Sequence, residues 1–476
     1  MRLLRKRSPS DSVVDLLDKQ GRRIQLVRLE TFPGFRSSRQ GLPPTVFQET
    51  RSGLLRVVHR ELVIRFQPLA SSKRRRDILK KHGLGICRRN AFIPDQVVVD
   101  QLGRRSDGEE LVEISNELTG LDEVAMATPN FISQYRRQGP PSVLPQEWHL
   151  RDLDVAEAWK ITTGKPEIVV AILDDGVDVG HPNLRESVWR NPDPKAGDQI
   201  GRDFFLPDFD PDCFNPRPKR FQSPFDQVEG NDIHGTCCAG LIAARGLNGG
   251  SVGVAPGCRI LPVKIFHADQ LVPDDRVADA IRYAAKHADI LSCSWTCGIS
   301  EDVRWALEDA GQGRGERGSA VFCAAGNDSG RPVRFPARDA NAIAVGASKD
   351  QTRRADYSNA GSELSVVAPS DGGAQGIFTT DVSLPGRGFN LGTAEKGGAD
   401  GLHTNSFGGT SASTPLAAGI GALVLSVSPS LTREELKGLL EATADKIGGP
   451  FDARGHSSEL GFGRVNAGKA VLEARR

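Results

Sequence analysis

Short apolar runs recur along the chain from Trp148 onward, each bounded by Gly, Asp or Asn. The runs span residues 168–173, 260–266, 290–295, 320–325, 342–345 and 364–368. Between several of them, as in 275–287 and 302–310, apolar residues recur at helical spacing. Fully apolar strands that alternate with helices are typical of a parallel sheet covered on both faces. We therefore predict an α/β fold for residues 148–476, with its site in loops beyond the carboxyl ends of the strands.

The chain before residue 148 has a different pattern. Residues 1–58 are polar and irregular, with weak strand signals near 24–29 and 54–58. Residues 59–134 predict a small α+β domain, with strands at 61–66, 92–99 and 123–127 and helices at 72–82 and 109–118. Residues 135–147 are rich in Pro and Gly, which predicts an extended linker.

Composition narrows the partners and the compartment. The 476 residues carry a formal net charge of +1, so no overall charge favours a nucleic acid or an anionic membrane as partner. We expect no transmembrane segment, because no apolar run looks long enough to span a bilayer. The basic N-terminus is not followed by the apolar segment of a secretory signal peptide. The eight cysteines include several in predicted buried strands, which favours reduced core thiols over the alternative of a disulfide framework.

Three motifs each place a reactive side chain at the end of a predicted element. Asp174 ends the first apolar strand, His234 precedes Gly-Thr at the start of a helix, and Ser411 opens a second, uncharged helix. Each motif alone has an ordinary structural interpretation as a strand-end turn or a helix cap. Together, in the order Asp, His, Ser, they supply the orienting acid, the general base and the nucleophile of a catalytic triad. Unpaired N–H groups at the second helix start are suited to hold an oxyanion.

These motifs resemble those of the subtilisin-like (subtilase) serine proteases over about residues 145–475. The matching segments are Asp174-Asp-Gly176, His234-Gly-Thr236, Ala324-Ala-Gly-Asn327 and Gly409-Thr-Ser-Ala-Ser-Thr-Pro415. The resemblance implies a serine endopeptidase that hydrolyses polypeptides through an acyl-enzyme and needs no cofactor for its chemistry. It assigns Asp174, His234 and Ser411 to the triad and Asn327 to the oxyanion site.

Some features resemble the kexin and proprotein-convertase branch. In that branch the second acidic residue, here Asp175, faces a basic P2 side chain, and the cysteine at position 238 lies unpaired beneath the histidine. The substrate-binding wall would be formed by Ser294, Trp295 and Thr296, where Thr296 replaces a usual glycine and narrows the pocket. The sequence ends soon after its last predicted helix, so we expect no counterpart of the kexin P domain.

The domain at 59–134 resembles the inhibitory propeptides of bacterial subtilases; an unrelated accessory domain is the alternative. The resemblance implies a self-processed zymogen whose own N-terminal propeptide inhibits it, and a secreted protein, with a cytoplasmic location as the alternative. The dibasic pair Arg136-Arg137 would place Arg137 at P1 of a self-cleavage site, unless the pair is only a solvated linker charge.

A structural calcium ion is also implied by the resemblance. The candidate ligands are Asn183, Asn248, Asp208, Asp210 and Asp212. Asn183 stands where the family usually has Asp, which weakens one site, whereas the three Asp residues offer oxygen ligands at alternate positions. A solvated acidic loop is the alternative for those three residues.

Other classes of protein are less consistent with these patterns. An α/β-hydrolase needs Gly-X-Ser-X-Gly, but Ser413 stands two residues after Ser411. No Gly-X-Gly-X-X-Gly opens a helix after the first strand, so dinucleotide binding is unsupported. A catalytically inactive binding homologue remains as an alternative, because Thr296 and Cys297 would narrow the cleft.

Overall fold

The structure is a computed structural model. It describes residues 13–29, 45–49, 55–102, 107–133, 136–137, 147–194, 197–222, 229–247, 250–267, 270–349, 353–371, 376–383, 388–390, 392–393, 395, 397–398 and 401–476. Residue-contact clustering divides the chain into two units. Unit 1 comprises residues 1–135, 271–279 and 297–305, and unit 2 comprises 136–270, 280–296 and 306–476.

The elements up to residue 133 are the strands β1 (Val13–Leu17), β2 (Arg23–Leu29), β3 (Thr45–Glu49), β4 (Leu55–Phe66), β5 (Leu84–Arg89), β6 (Gln96–Gln101) and β7 (Val124–Ser133), and the helices α1 (Ser72–Lys81) and α2 (Gly108–Thr119).

The later strands are β8 (Arg136–Arg137), β9 (Val169–Asp174), β10 (Arg202–Asp203), β11 (Arg220–Gln222), β12 (Glu229–Asn231), β13 (Arg259–Lys264), β14 (Val272–Pro273), β15 (Ile290–Cys293), β16 (Trp295–Thr296), β17 (Ala320–Ala324), β18 (Ala342–Lys349), β19 (Arg353–Arg354), β20 (Leu364–Pro369), β21 (Ile377–Thr380) and β22 (His403–Phe407). The later helices are α3 (Trp148–Asp152), α4 (Val155–Trp159), α5 (His234–Ala243), α6 (Asp274–His287), α7 (Glu301–Asp309), α8 (Gly313–Glu316), α9 (Thr410–Val427), α10 (Arg433–Thr443) and α11 (Ala467–Ala474).

Unit 1 is built on one antiparallel sheet in the order β1-β2-β3-β4-β6-β5, with β7 beside β4 and β14 beside β7. The sequence predicted a boundary between residues 58 and 59, but β4 runs from Leu55 to Phe66 without a break. Its first half pairs with β3 and its second half with β6. The described residues before 59 therefore belong to the same sheet as those after it, and they are not a separate irregular segment.

The sheet of unit 2 has the order β10-β13-β9-β15-β17-β18-β19, with β20 beside β18. Its central strands pair in parallel, and every residue of β9, β15, β17 and β18 is buried. This confirms the predicted α/β fold, because apolar side chains on both faces require a cover of helices on each side. β9 lies between β13 and β15, so its carboxyl end opens at the centre of the sheet.

Two helices, α5 and α9, carry the motifs predicted to be reactive, and they pack against each other. Contrary to the expectation from sequence, α9 is long and apolar enough to cross a membrane, but 94% of its apolar stretch is buried. It packs on β15, β17, β18 and β20, as the core helix of an α/β domain does.

Candidate active site

Asp174 and His234 meet where β9 ends and α5 begins. The His234 Nδ1 atom lies 2.9 Å from each carboxylate oxygen of Asp174, and both residues are almost fully buried. Burial lowers the pKa of His234, but the charge and hydrogen bond of Asp174 outweigh burial and raise this pKa above its ordinary value. Because Nδ1 is engaged by the carboxylate, the Nε2 atom is the one available to exchange a proton with a nucleophile.

The close approach of α5 to β9 depends on the glycine after His234. A Cβ atom at Gly235 would lie 2.4 Å from the carbonyl oxygen of Gly176. Any larger residue would push the helix away from the strand end and separate the imidazole from the carboxylate. Phe407 contacts the imidazole from another side, with ring centroids 5.2 Å apart and ring planes inclined at 66° in an edge-on arrangement.

Cys238 lies one helical turn after His234 and touches all three predicted triad residues. Its Sγ atom is 3.7 Å from Asp174 Oδ2, 3.7 Å from His234 Nδ1 and 3.8 Å from the carbonyl oxygen of Ser411. One sulfur atom in contact with all three residues means that they converge on one small volume. The motifs at 174, 234 and 411 therefore form a single site.

The thiol of Cys238 is not a second nucleophile. Burial raises its pKa to about 11, so the sulfur stays protonated at neutral pH, and a thiol is a poor nucleophile and metal ligand. Within the described residues, Asp174, His234 and Cys238 are the only three acidic, His or Cys side chains placed closely enough to share a metal ion. The direct pairing of Asp174 with His234 accounts for this proximity without an ion.

Ser411 is the second residue of α9, and its backbone carbonyl is freed by a proline. Helical geometry would pair this carbonyl with the N–H of residue 415, but Pro415 has no N–H. The carbonyl instead accepts a hydrogen bond from the Ser294 hydroxyl at 3.0 Å. In return, the Ser411 hydroxyl donates to the carbonyl oxygen of Ser294 at 3.3 Å. Pro415 and Ser294 thus tie the start of α9 to the end of β15.

Asn327 lies beside the same helix start, and its amide orientation is fixed. Its Oδ1 atom accepts hydrogen bonds from the Thr410 N–H at 3.0 Å and from the Thr410 hydroxyl at 2.8 Å. Since a backbone N–H can only donate, the oxygen of Asn327 must face Thr410. The Nδ2 donors are therefore the ones that could reach an oxyanion formed next to Ser411. Thr410 was not predicted as a functional residue, although the sequence shows that it lies between the motif residues Gly409 and Ser411.

We expect Asn327→Ala to lower kcat by about 10²–10³-fold with little change in KM, since an oxyanion contact forms mainly in the transition state. Thr410→Val keeps the side-chain shape but removes the hydroxyl that orients Asn327, so we expect a smaller fall of about 10-fold. Steady-state kinetics on a peptide substrate would measure both. A change confined to KM in Asn327→Ala would contradict the oxyanion assignment.

Asp175 follows Asp174 and lies against the start of α5. Its fully buried carboxylate accepts hydrogen bonds from the backbone N–H groups of Ile233, His234 and Gly235 at 2.9, 3.0 and 2.7 Å. The first N–H groups of a helix have no acceptor within the helix, so Asp175 caps the helix that carries the imidazole. The contacts account for this carboxylate without a substrate side chain, and recognition of a basic P2 residue stays an untested prediction.

The side chains of the predicted wall residues Trp295 and Thr296 are buried in the protein. The indole of Trp295 is fully buried, and its Nε1–H donates to the carbonyl oxygen of Leu173 at 2.9 Å. Their backbone, in contrast, forms strand β16, which pairs antiparallel with β8. Arg137 lies opposite Trp295, and Arg136 lies opposite Thr296. The edge of β16, which begins one residue after Ser294, thus pairs with an extended segment of the chain.

The residues predicted to bind calcium are engaged in other contacts. Asn183 Oδ1 accepts the Leu247 N–H at 2.6 Å, and Asn183 Nδ2 lies 3.0 Å from His403 Nε2. Asn248 lies outside the described residues. In the acidic loop, Asp208 pairs with Arg202 at 3.0 Å, and Asp212 pairs with Lys219 at 2.7 Å.

The third acidic residue, Asp210, accepts the Asp212 N–H at 2.9 Å and caps a short 3₁₀ helix. The three carboxylates therefore do not converge on one point within the described part of the chain. These contacts do not fit a calcium site, since the ion needs six to eight oxygen ligands around one centre. They agree better with the alternative of an acidic surface loop whose charges are matched by nearby cations.

Comparison with known proteins is consistent with this arrangement. The "Calcium-dependent protease" of Trichormus variabilis is 31% identical over 433 residues, which is 83% of this chain and 60% of that protein. The "Thermophilic serine proteinase" of Bacillus sp. is 31% identical over 316 residues, covering 66% of this chain and 64% of the relative. Kexin of Saccharomyces cerevisiae is 28% identical over 362 residues, covering 68% and 39%. The chain thus spans 60% of the length of its cyanobacterial relative.

A solved structure and a family profile extend the comparison. The crystal structure of fervidolysin from Fervidobacterium pennivorans, a keratinolytic enzyme related to subtilisin, aligns with a TM-score of 0.63 at 22% identity. The alignment covers 89% of this chain and 62% of fervidolysin, and at this identity it establishes a shared fold. Residues 165–463 match the profile of the Subtilase family, and this range contains Asp174, His234, Asn327 and Ser411. The chain therefore belongs to the subtilase family.

Proposed function

We propose that this chain is a serine endopeptidase. Ser411 Oγ attacks the carbonyl carbon of a peptide bond while His234 Nε2 takes its proton. Asp174 holds the imidazole by Nδ1 and stabilises its protonated form. The tetrahedral oxyanion is held by Asn327 Nδ2 and the backbone N–H of Ser411. His234 then protonates the leaving amine, and water hydrolyses the acyl-enzyme by the same steps in reverse.

The contact of Cys238 Sγ with Asp174, His234 and Ser411 is the observation that carries this proposal. It brings the backbone of Ser411 next to the paired Asp174 and His234, although the three residues come from distant parts of the sequence. A fluorophosphonate probe, which reacts only with an activated serine, tests the proposal. Stoichiometric labelling of Ser411 supports an endopeptidase. A folded protein that is not labelled would favour the alternative of an inactive binding homologue.

The pH dependence of the reaction should report the charge of Asp174. The imidazole must be neutral to act as a base, so activity falls as the pH is lowered through the raised pKa of His234. Asp174→Asn removes the charge that raises this pKa, and burial then lowers it. We expect the acid limb of kcat/KM to move to lower pH, with kcat reduced by about 10⁴-fold. An unmoved acid limb would show that another group controls it.

Substrates are proposed to bind as an added strand on the edge of β16. The pairing of Arg136-Arg137 with Trp295-Thr296 supports this mode, since backbone hydrogen bonds give affinity to an extended peptide of any sequence. The buried side chains of Trp295 and Thr296 would then shape the wall from behind. An added strand exposes an internal peptide bond to Ser411, which is why we propose an endopeptidase.

We also propose that the chain is a zymogen that cuts itself and is inhibited by its own N-terminal segment. The support is that the segment paired with β16 comes from this same chain and directly follows the sheet of unit 1. Within unit 1, buried Arg56 lies 3.5 Å from Asp274, and Gln96 Nε2 donates to Asp302 at 3.1 Å. These buried polar contacts fix the geometry of unit 1 itself, as a folded inhibitory segment requires.

The name of the Trichormus variabilis relative points to calcium, but none of these steps uses the ion. Asn183 and the acidic loop do not fit the ion, because their oxygens are already engaged by Leu247, Arg202 and Lys219. We therefore propose that any structural calcium ion is held by atoms other than those of Asn183, Asp208, Asp210 and Asp212.

A further inference from the structure

We propose that Asp371 is a positioning residue for the reaction at Ser411. It holds the turn that precedes α9 and so sets the direction of the groups that face the substrate. This inference rests on the proposed endopeptidase function and adds to it a residue outside the four family motifs. Asp371 lies two residues after the end of β20 and is only 2% exposed.

The peptide groups of Gly409 are held at both ends. Its N–H donates to Asp371 Oδ1 at 2.8 Å, and its carbonyl oxygen accepts the hydroxyl of Ser370 at 2.8 Å. Gly409 is the N-cap residue of α9 and has no side chain with which to cap the helix. Ser370 and Asp371, the two residues after β20, therefore fix both peptide groups of Gly409 from outside the helix.

The glycines before Ser411 are explained by the same carboxylate. Gly409 has a φ of +71°, a conformation that other residues rarely adopt. A Cβ atom at Gly408 would lie 2.0 Å from Asp371 Oδ1. The turn is thus built around Asp371, because one glycine allows its geometry and the other leaves room for the carboxylate.

Asp371 is itself anchored by Tyr357. The phenol lies 2.8 Å from Asp371 Oδ1 and 2.6 Å from its backbone oxygen. Burial and the nearby carboxylate raise the pKa of Tyr357 well above its ordinary value, so the phenol remains a donor at any working pH. The donors converge on Oδ1, which is the atom that an asparagine would retain.

The effect reaches the oxyanion site through Thr410. Its N–H belongs to the same peptide group as the Gly409 carbonyl held by Ser370, and it donates to Asn327 Oδ1. Rotation of this peptide group would turn the N–H away from Asn327 and move the Ser411 N–H as well. Asp371 does not touch the reacting atoms, so its contribution is one of alignment, and a misalignment of about 1 Å is enough to slow catalysis.

The test compares Asp371→Ala, Asp371→Asn and Tyr357→Phe. Asp371→Ala should lower kcat by about 10- to 100-fold, less than loss of an oxyanion donor itself, and leave KM within about twofold. The rate of labelling of Ser411 by a fluorophosphonate should fall by the same factor. Asp371→Asn retains Oδ1 and should recover most of the loss. Tyr357→Phe should give a smaller fall than Asp371→Ala, since the bond between Asp371 and Gly409 remains.

Asp356→Ala is the matched control, because this carboxylate lies in the same part of the chain but is 82% exposed and pairs with Lys349. Active-site titration counts the molecules with a reactive serine, and the melting temperature reports the stability of the fold. Together they separate slower catalysis in each molecule from a smaller fraction of folded molecules. Unchanged kcat per labelled serine in both Asp371→Ala and Tyr357→Phe would overturn the inference. Equal losses in Asp371→Asn and Asp371→Ala would also overturn it. A wild type that neither labels nor hydrolyses peptides would instead overturn the proposed function on which it depends.

Discussion

Ser411→Ala is expected to lower kcat by about 10⁶-fold, to the level that binding and the oxyanion site sustain without a nucleophile; the scale comes from the corresponding subtilisin variant. The substitution removes one oxygen atom, which donates to the Ser294 carbonyl at 3.3 Å. The link between α9 and β15 survives through the Ser294 hydroxyl, which donates to the Ser411 backbone. We therefore expect the variant to fold with nearly unchanged stability and to lose all fluorophosphonate labelling.

Ser413→Ala is the matched control for this substitution. It lies two residues along the same helix, is equally buried, and donates to the Ala368 carbonyl at 2.9 Å. Its activity should stay of the same order as that of wild type. If purified Ser411→Ala keeps more than a trace of wild-type activity while Ser413→Ala loses it, the nucleophile has been assigned to the wrong serine.

The second large effect concerns the linker, which we expect to be cut completely in wild type and not at all in Ser411→Ala. The bond is specified by the ladder between β8 and β16. Arg137 lies opposite Trp295, and the next residue along β16 toward the nucleophile is Ser294, whose carbonyl accepts the Ser411 hydroxyl. Extending this register by one residue predicts Gln138 as its partner, although Gln138 itself lies outside the described residues. The pairing therefore favours a cut after Gln138, one residue beyond the cut after Arg137 that the dibasic motif predicts.

Mass analysis of the mature N-terminus separates these two positions. A mature chain that begins at Gly139 supports a cut set by the pairing of β8 with β16. A mature chain that begins at Gln138 supports recognition of Arg137 at P1. Arg137→Ala should leave a cut after Gln138 intact and abolish a cut after Arg137. Self-cleavage within one molecule predicts a rate independent of protein concentration. Cleavage of Ser411→Ala at the same bond in a protease-free preparation would remove the case for self-processing, as would a fully active wild type that remains uncut.

The sequence was informative about the site because its reactive residues follow local rules. Asp174 ends an apolar strand, and His234 and Ser411 begin helices, so the parallel-sheet pattern alone brings them toward one edge. The pattern Thr432-Arg-Glu-Glu435 is another local rule of this kind, and it forms a capping box at the start of α10, with Thr432 and Glu435 bonded reciprocally. Local hydrogen bonds of this kind need only neighbouring residues, and that is why they can be read from a short window.

Side-chain direction at the strand ends was not predictable in the same way. Asp175 and Trp295 stand next to functional residues, yet one caps α5 and the other fills the core. Their orientation is decided by donors and acceptors that lie far away in the sequence. The strands before residue 59 had only weak signals in the sequence, because a polar strand is stabilised by its neighbours in the sheet and not by its own apolar pattern. Ser370 and Asp371 contact backbone groups of the turn before α9, and such contacts leave no chemical signature in the sequence.

The hydrogen bonds that align the site also constrain how the protein folds. They join residues 60 apart for Asp174 and His234, 83 apart for Asn327 and Thr410, and 117 apart for Ser294 and Ser411. Each closes a long loop, whose entropic cost must be met before the contact stabilises anything. Chains dominated by such distant contacts fold slowly and pass through incomplete intermediates. We therefore expect the cleft to form late in folding, so that partly folded chains carry no proteolytic activity while they are themselves most easily digested.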